Sequence, residues 1–581
     1  MPNNSDLNIE GVIIAETLLR IFNHRHLDRT LKQNDNDPLK LINTLLNQID
    51  IKHELKSTDL KNIPAKGPFI IVSNHPYRGV DSMILYKMIS SVRDDFKIMG
   101  SYLLHRIEPL KNVVIPVNTF ETKGRGQSFS GLKEAINHLK QGHCLGIFPV
   151  GEESSHMEIS RTILDRKWQL PAIKLIKNSK VPVIPVYFHA THSRLAYIIG
   201  KIHPVLRYEE LPAELKKNRI IKIRIGSSVT VKEQASFRDL SQYGRFLRAK
   251  TYSLGSVIEA RKFFRRPHLL KRKAENIADP VPADALTAEF NCVRSEYELF
   301  SSGNYSVVCA PAFKIPLIFS EIGRLRELTF RKIGEGTNKS TDVDEYDLYF
   351  NHLFIWDKDN DQIVGAYRIG KGKEVIQLYG LKGFYISSLF RIKPEMADVL
   401  SVSLELGRSF IIEEYQKKAF SLFLLWKGIM FFLLRNPEYR YLVGPVSISN
   451  DFSKYSKDLI VGFLRRYFMN EELSALVSPK KAFSIKAGGT FDKSIFVDTS
   501  DMDINRIEKV IMDMEPGYRL PVLLRKYLEI NGRILCFNVD PKFNYCLDCL
   551  MLLDLYKTPP EFIKGLSREM NDPSILERFS G

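Results

Sequence analysis

The stretch Ser73-Asn74-His75-Pro76-Tyr77-Arg78-Gly79-Val80-Asp81 constrains the fold most, because both of its flanks are legible. Before it, Pro68-Phe69-Ile70-Ile71-Val72 is a continuous apolar run of strand length. After it, Ser82 to Ile89 has helical spacing. A His and an Asp are thereby placed at a strand-to-helix junction, where a rigid sheet can present side chains to a substrate. A carboxylate beside an imidazole fixes its tautomer and stabilises the imidazolium formed when a hydroxyl loses its proton. The plainer reading of the same pair is a helix-capping Asp and a turn His.

Two further runs extend the pattern. Cys144-Leu145-Gly146-Ile147-Phe148-Pro149-Val150-Gly151-Glu152 is a buried strand entering a polar turn, and Val181-Pro182-Val183-Ile184-Pro185-Val186-Tyr187 is a third strand. Gln127 to Gln141 is an amphipathic helix leading into the Phe148 turn, so residues 65–230 alternate strand and helix.

In order and content these three segments resemble the glycerolipid-type acyltransferases. That family carries an Asn-His…Asp box, then a Phe-Pro-x-Gly box and a Val-Pro-Val-x-Pro-Val strand. The resemblance implies His75 as general base, Asp81 as its orienting carboxylate, and Asn74, Phe148, Pro149, Gly151 and Glu152 as substrate-binding residues. Gly151 and Glu152 read equally as a tight turn with a solvated Glu. Five residues, Pro76 to Val80, separate His75 from Asp81, where the commonest family pattern has four. Val150 stands where many members have Glu. Both departures resemble the hemolysin-like branch that acylates amino-acid lipids.

The second half has a different texture. Asn351 to Arg368 reads as a hairpin, Phe384 to Phe390 as a third strand, and Leu404 to Phe410 as the border of a fourth. A mixed sheet flanked by helices is the simplest architecture. Between these elements recur Arg326, Asp344, Asp347, Arg368, Glu405 and Arg408, which read as surface charge with one buried ion-pair cluster. Their order resembles the N-acyltransferase branch of the GNAT superfamily, most of all the hydroxyacyl-amino-acid synthases of ornithine-lipid type. Arg326-Glu327-Leu328-Thr329-Phe330, Gly334-Glu335-Gly336-Thr337, Glu405-Leu406-Gly407-Arg408 and Asp540-Pro541-Lys542-Phe543 carry the likeness. It implies Glu405 as a catalytic residue, with Arg326, Asp344, Asp347, Arg368 and Arg408 binding substrate. No GNAT pyrophosphate loop is evident, which favours an acyl-carrier-protein thioester as donor over acyl-CoA.

The fold class expected is α/β in two domains: an α/β acyltransferase domain with a mixed sheet, then a GNAT-like α+β domain. The boundaries expected are a helical segment over 1–60, the O-acyltransferase domain over 61–265, a basic, Pro-containing linker over 266–285, and the N-acyltransferase domain over 286–581. The tandem implies a bifunctional enzyme of aminolipid synthesis. One domain forms an amide between an amino acid and a 3-hydroxyacyl group; the other esterifies the new hydroxyl of that lyso-lipid. The rival readings are a lysophospholipid acyltransferase with a non-catalytic GNAT-like module, and a membrane-perturbing lipid-binding protein.

Charge bears on partners. Of 84 Lys and Arg and 67 Asp and Glu, residues 1–275 hold 45 and 26, a net of +19, and the remainder is −2. No nucleic-acid motif accompanies the excess, and nucleic acid is not expected as a partner. An anionic membrane surface and an acidic acyl carrier protein both fit it. Six cysteines without regular spacing point to a reducing compartment. Cys546 and Cys549 lie in an apolar run and read as buried thiols rather than half a zinc site; neither metal nor bound cofactor is expected. The N-terminus shows no signal peptide. Ala419 to Leu434 is apolar but short and broken by Lys427, a core helix before a membrane span. The expected location is cytoplasmic, peripheral on the inner face of the cytoplasmic membrane.

Overall fold

The structure, a computed structural model, describes residues 37–48, 51–76, 79–105, 107–117, 125–150, 155–156, 163–164, 168–189, 219–256, 274–484, 492–571 and 573–579. The chain forms two compact units, Met1–Arg265 with Lys486–Gly517, and Arg266–Ile485 with Tyr518–Gly581. The domain expected over 286–581 is thus interrupted, because Lys486–Gly517 packs with the first unit.

The first unit contains β1 (Ile51–Leu55), β2 (Phe69–Ser73), β3 (Lys97–Ser101), β4 (Val114–Val117), β5 (Cys144–Ile147), the two-residue strands β6 (Ser155–His156) and β7 (Ile163–Leu164), β8 (Val183–Phe188) and β9 (Arg219–Ile225). Seven of these form one sheet in the order β1-β9-β8-β2-β5-β3-β4. All neighbours are parallel except β8 and β9, so the sheet is mixed. β2 sits at its centre, and Phe69 to Val72 are fully buried. A strand covered on both faces needs the uninterrupted apolar run that its sequence has. Residues 1–60 are only partly as expected. Val12 to Phe22 lies outside the described residues, Pro38–Gln48 is helical, and Ile51–Leu55 is an edge strand with alternating burial.

Asp513, from the helix Ile504–Met514, ties the late segment into this unit. Its carboxylate accepts from buried Lys250 (2.7 Å) and from the Ser227 amide (2.8 Å), and its carbonyl accepts from Arg224 (3.1 Å). Arg224 also pairs with buried Asp59 at 2.7 Å. A buried charge stripped of its partner is costly, so these pairings fix where the segment docks.

The second unit contains β10 (Glu298–Ser302), β11 (Tyr305–Pro311), β12 (Asn351–Asp357), β13 (Gln362–Lys371), β14 (Phe390–Ile392), β15 (Ser403–Ile411), β16 (Tyr441–Ile448), β17 (Val477–Pro479), β18 (Arg533–Asp540) and β19 (Cys546–Asp554). Eight form a sheet in the order β10-β11-β12-β13-β15-β16-β19-β18, antiparallel except for β15 with β16. The hairpin read over 351–368 is β12 and β13. The strand read over 384–390 is mostly a turn of helix, Ile386–Leu389, and only Phe390–Ile392 is extended. The Glu405 carboxylate accepts from the amides of Tyr385 and Ile386 and so caps that turn. The apolar stretch at 419–435 is a single helix whose Leu425 and Ile429 are fully buried in the core. No helix among the described residues is long and apolar enough to cross a membrane. Cys546 and Cys549 are both buried on β19.

Candidate active sites

In the first unit the parallel strands β2 and β5 deliver their C-terminal ends side by side, the end of a sheet where loops gather around ligands. His75 follows β2 and Phe148 follows β5; their rings lie 4.5 Å apart. His75 Nδ1 lies 2.9 Å from Asp81 Oδ1, with His75 26% exposed and Asp81 fully buried. A proton held on Nδ1 toward the carboxylate leaves Nε2 as the basic nitrogen. Asp81 Oδ1 also accepts from the amides of Gly79 (3.2 Å) and Ser82 (3.0 Å), so its orientation is set by backbone. Gly79 precedes helix α1 (Val80–Ile89) with φ +101°, a conformation that L side chains rarely adopt. That residue turns the chain and brings Asp81 back toward His75.

Asn74 does not reach outward. Its Nδ2 donates to the Phe188 carbonyl (2.9 Å) and its Oδ1 accepts from the Phe188 amide (2.8 Å). Both halves of its amide latch the end of β2 to β8, which makes Asn74 a positioning residue for His75 rather than a substrate-binding one. Pro149 and Val150 are buried, and the Pro149 carbonyl accepts from the Gln169 amide. Gly151 and Glu152 lie outside the described residues, as do Tyr77 and Arg78.

The second unit brings together all the sequence-predicted charges but one. Helix α2 (Pro316–Lys332) supplies Arg326, which grips Asp347 bidentately at 3.1 and 2.8 Å and places Nε 3.0 Å from Asp342. Arg368 on β13 holds Asp344 at 2.6 Å and Asp347 at 3.2 Å. Arg408 on β15 lies 3.4 Å from Asp344 and 3.6 Å from Asp342. Three guanidiniums thus interlock with three carboxylates. Asp342 was not distinguished by the sequence; its carboxylate is a partner only because the loop after α2 folds back, with its amide on the Gly323 carbonyl at 3.0 Å. Asp344 and Asp347 cap each other across a short 3-10 turn, Glu345–Leu348.

Burial alone would raise the Asp347 carboxyl, but Arg326 and Arg368 outweigh it and hold the group well below the usual range. Burial likewise lowers His352, whose Nε2 lies 2.9 Å from the Asp347 carbonyl, to about 4, so it is neutral at pH 7. Arg408 sits at a β-bulge with φ +55°, where β15 has an extra residue against β13. The bulge aims its guanidinium over Phe543 (4.4 Å) and Tyr385 (5.1 Å).

Glu405 stands apart from this network. Its two oxygens accept from the amides of Ile386 (2.8 Å) and Tyr385 (3.0 Å). Burial pushes its carboxyl up to about 7. It places Tyr385 beside Arg368 and Arg408 rather than pairing with either arginine. Glu327, 0% exposed, explains the Gly-Glu-Gly-Thr segment: its carboxylate accepts from the Thr337 amide (2.8 Å), the Thr337 hydroxyl (2.7 Å) and the Asn338 amide (2.9 Å).

β15 and β16 pair only from Ser403↔Tyr441 to Glu405↔Val443. Pro445 has no N–H with which to continue the ladder, and the Arg408 bulge bends β15. A small cleft opens there, lined by Leu406, Gly407, Arg408, Gly444, Pro445 and Val446.

Comparison with known proteins matches a family model to part of each unit. Residues 21–261 match the family described as acyltransferase, and residues 325–427 match the acetyltransferase (GNAT) domain. The chain is an acyltransferase with a GNAT domain behind its acyltransferase domain. It is 26% identical over 284 residues to a glycine N(alpha)-acyltransferase of Phocaeicola vulgatus, covering 47% of this chain and 85% of that protein. It is 24% identical over 251 residues to a lyso-glycine lipid O-acyltransferase of the same organism, covering 42% and 87%. Among solved structures, the 1-acyl-sn-glycerophosphate acyltransferase of Thermotoga maritima covers 41% of this chain and 88% of its own, at 19% identity and a TM-score of 0.25. The two acyltransferase types therefore occur together in one chain.

Proposed function

We propose that the chain synthesises an acyloxyacyl aminolipid in two steps. The second unit joins the α-amine of an amino acid to a 3-hydroxyacyl thioester. The first unit then esterifies the new lipid's hydroxyl with a second acyl chain. One observation carries this reading: two acyltransferase domains share one polypeptide, and their relatives are named a glycine N(alpha)-acyltransferase and a lyso-glycine lipid O-acyltransferase.

In the ester-forming step, Nε2 of His75 takes the proton of the lipid hydroxyl as its oxygen attacks the thioester carbonyl. Asp81 stabilises the resulting imidazolium. The C–S bond breaks and the imidazolium returns the proton to the thiolate. In the amide-forming step, the extended thioester arm of a carrier protein enters the cleft between β15 and β16, whose open strand edges offer it backbone groups. Arg408 receives the amino acid's carboxylate. Glycine is the first amino acid to test and ornithine the second. The enzyme works as a peripheral protein on the inner face of the cytoplasmic membrane.

Lipid mass spectrometry of a bacterial host expressing the chain tests the whole reading. A new diacylated amino-acid lipid is expected, with its monoacyl amide as precursor. New diacylglycerophospholipid without any amino-acid lipid would overturn it.

A further inference from the structure

Several buried polar atoms in this unit have no hydrogen-bond partner among the described residues, and two of them, Arg368 Nη2 and Asp548 Oδ2, lie on one face of the second sheet and make no ion pair there either. Their residues are 1% and 2% exposed. One atom is a donor and the other an acceptor. Arg368 uses its other amino group on Asp344 and Asp347, and its guanidinium is ringed by Tyr346, Phe350 and Tyr385. Asp548 uses only Oδ1, which accepts from the Ser447 hydroxyl at 2.8 Å and from the Cys546 thiol at 3.5 Å. Leaving a buried polar atom unpaired is unfavourable, so such atoms mark places where a ligand completes the set.

The neighbours of Asp548 are acidic. β18 pairs with β19 at Asn538↔Asp548 and Asp540↔Cys546, so Asp540 projects from the same face one pleat further on. Glu335 follows Gly334, which lies beside Asn544 in the turn between β18 and β19. Burial and the negative fields of Asp540 and Glu335 raise the Asp548 carboxyl to about 7, against the Ser447 and Cys546 hydrogen bonds. Burial and Asp451 raise Glu335 as well. The Tyr385 ring packs against Arg368 (5.0 Å) and Arg408 (5.1 Å) and also lies within the fields of Asp540 and Asp548. Cationic side chains from β13 and β15 and acidic ones from β18 and β19 therefore act on one aromatic ring.

We propose that Asp548 receives the ammonium of the amino-acid substrate and takes up its proton, with Asp540 and Glu335 as the further acidic groups of the site and Arg408 and Arg368 as its basic ones. The assignment rests on the amide-forming reading of this unit given above. An α-amino acid carries its ammonium and its carboxylate on one carbon, and so fits a site that holds both acidic and basic side chains. In the step, ammonium passes one proton to Asp548, leaving a neutral amine and a carboxylic acid. The amine nitrogen bonds to the thioester carbonyl carbon and the C–S bond breaks. The nitrogen's second proton goes to the departing thiolate, and Asp548 returns its own proton to solvent. A carboxylate that titrates near 7 is matched to this task, since a base works best when its pKa lies near the working pH.

The test uses the full-length enzyme with glycine, and ornithine in parallel, and a 3-hydroxyacyl carrier-protein thioester. Asp548→Asn should lower kcat for the amide about a hundredfold or more. The acidic limb of the wild-type pH profile, near pH 7, should disappear with it. The same variant should melt at a higher temperature than wild type above pH 7, because it removes a buried charge; a purely structural Asp548 would give a lower one. Glu335→Gln should move the acidic limb of the otherwise intact enzyme to lower pH, which keeps the assignment open to refutation should Asp548→Asn fail to fold. A folded Asp548→Asn with wild-type turnover, or a limb unmoved by Glu335→Gln, overturns the assignment and leaves amide synthesis standing. Wild-type enzyme that O-acylates supplied monoacyl lipid but joins neither amino acid to the thioester overturns the reading of the unit, and the assignment with it.

Discussion

The two sites are built by opposite strategies. The first is local: His75, Gly79 and Asp81 come from one junction, with the Phe148 ring and the Asn74 latch to Phe188 tying it to other strands. The second is assembled from α2, the loop behind it, β13, β15 and β19, and its charges are almost wholly buried. A short junction can lose its functional group and keep its fold. An interlocked set of buried charges cannot, because each member also holds its neighbours.

The largest contrast should come from cutting into the interlocked set. Asp347→Ala leaves Arg326 and Arg368 without a shared partner in a buried site, and should cost roughly 3–5 kcal/mol of stability. Chemical denaturation of the full-length protein measures it. An Asp347→Ala variant as stable as wild type would break the comparison.

His75→Ala should behave in the opposite way. Ester formation should fall on the order of a hundredfold or more, the loss expected from removing a general base. The melting temperature should hold and the monoacyl amide should accumulate in the host's lipids. Normal diacyl product would remove His75 from the chemistry.

Glu405 sharpens the comparison within the second unit. As a positioning residue it holds the Tyr385 and Ile386 amides; as a base it would carry the proton itself. Glu405→Gln keeps one acceptor oxygen, so amide synthesis should fall less than about tenfold; a loss of about a hundredfold would mark it as the base. Its folded carboxyl is raised above the unfolded one, to about 7. The contribution of this group to stability should therefore be fully present below its unfolded value, decline as pH rises toward 7 and level off above it. Glu405→Gln should flatten that decline in a thermal-melt series across pH. Asp347 acts with the opposite sign. Its lowered carboxyl contributes stability above its unfolded range that is lost only as strong acid protonates it.

The smallest effect concerns neither site. Net charge of +19 in residues 1–275 should draw the protein to anionic vesicles, and sedimentation should weaken steeply between low and high salt, since screening acts over about 10 Å at ~0.1 M. Much of the densest part of that charge, 201–218 and 257–273, lies outside the described residues. Equal binding to neutral vesicles would remove the membrane from the argument.

What was legible in the sequence was local. The apolar run of β2, the glycine before α1 and the spacing of His75 and Asp81 define the first junction because strand, turn and helix are written in neighbouring residues. The hairpin of β12 and β13 was legible for the same reason, and so was the burial of the 419–435 helix. The strand expected at 384–390 gave way to a helical turn except at Phe390, because a carboxylate from β15 caps that segment, and a residue twenty positions away leaves no trace in local periodicity. Asp342, Tyr385 and Asp548 carry no pattern of their own. They matter because tertiary structure sets Asp342 beside Arg326, Tyr385 beside Arg408, and Asp548 beside Asp540. The late segment of Asp513 is the same lesson at the scale of a unit: sequence order assigned it to the second half, and a buried lysine assigned it to the first. Periodicity and turn chemistry act over a few residues, so the sequence by itself determined the elements and the first pair. Burial of charge acts through space, so only the folded chain decided which carboxylate answers which arginine.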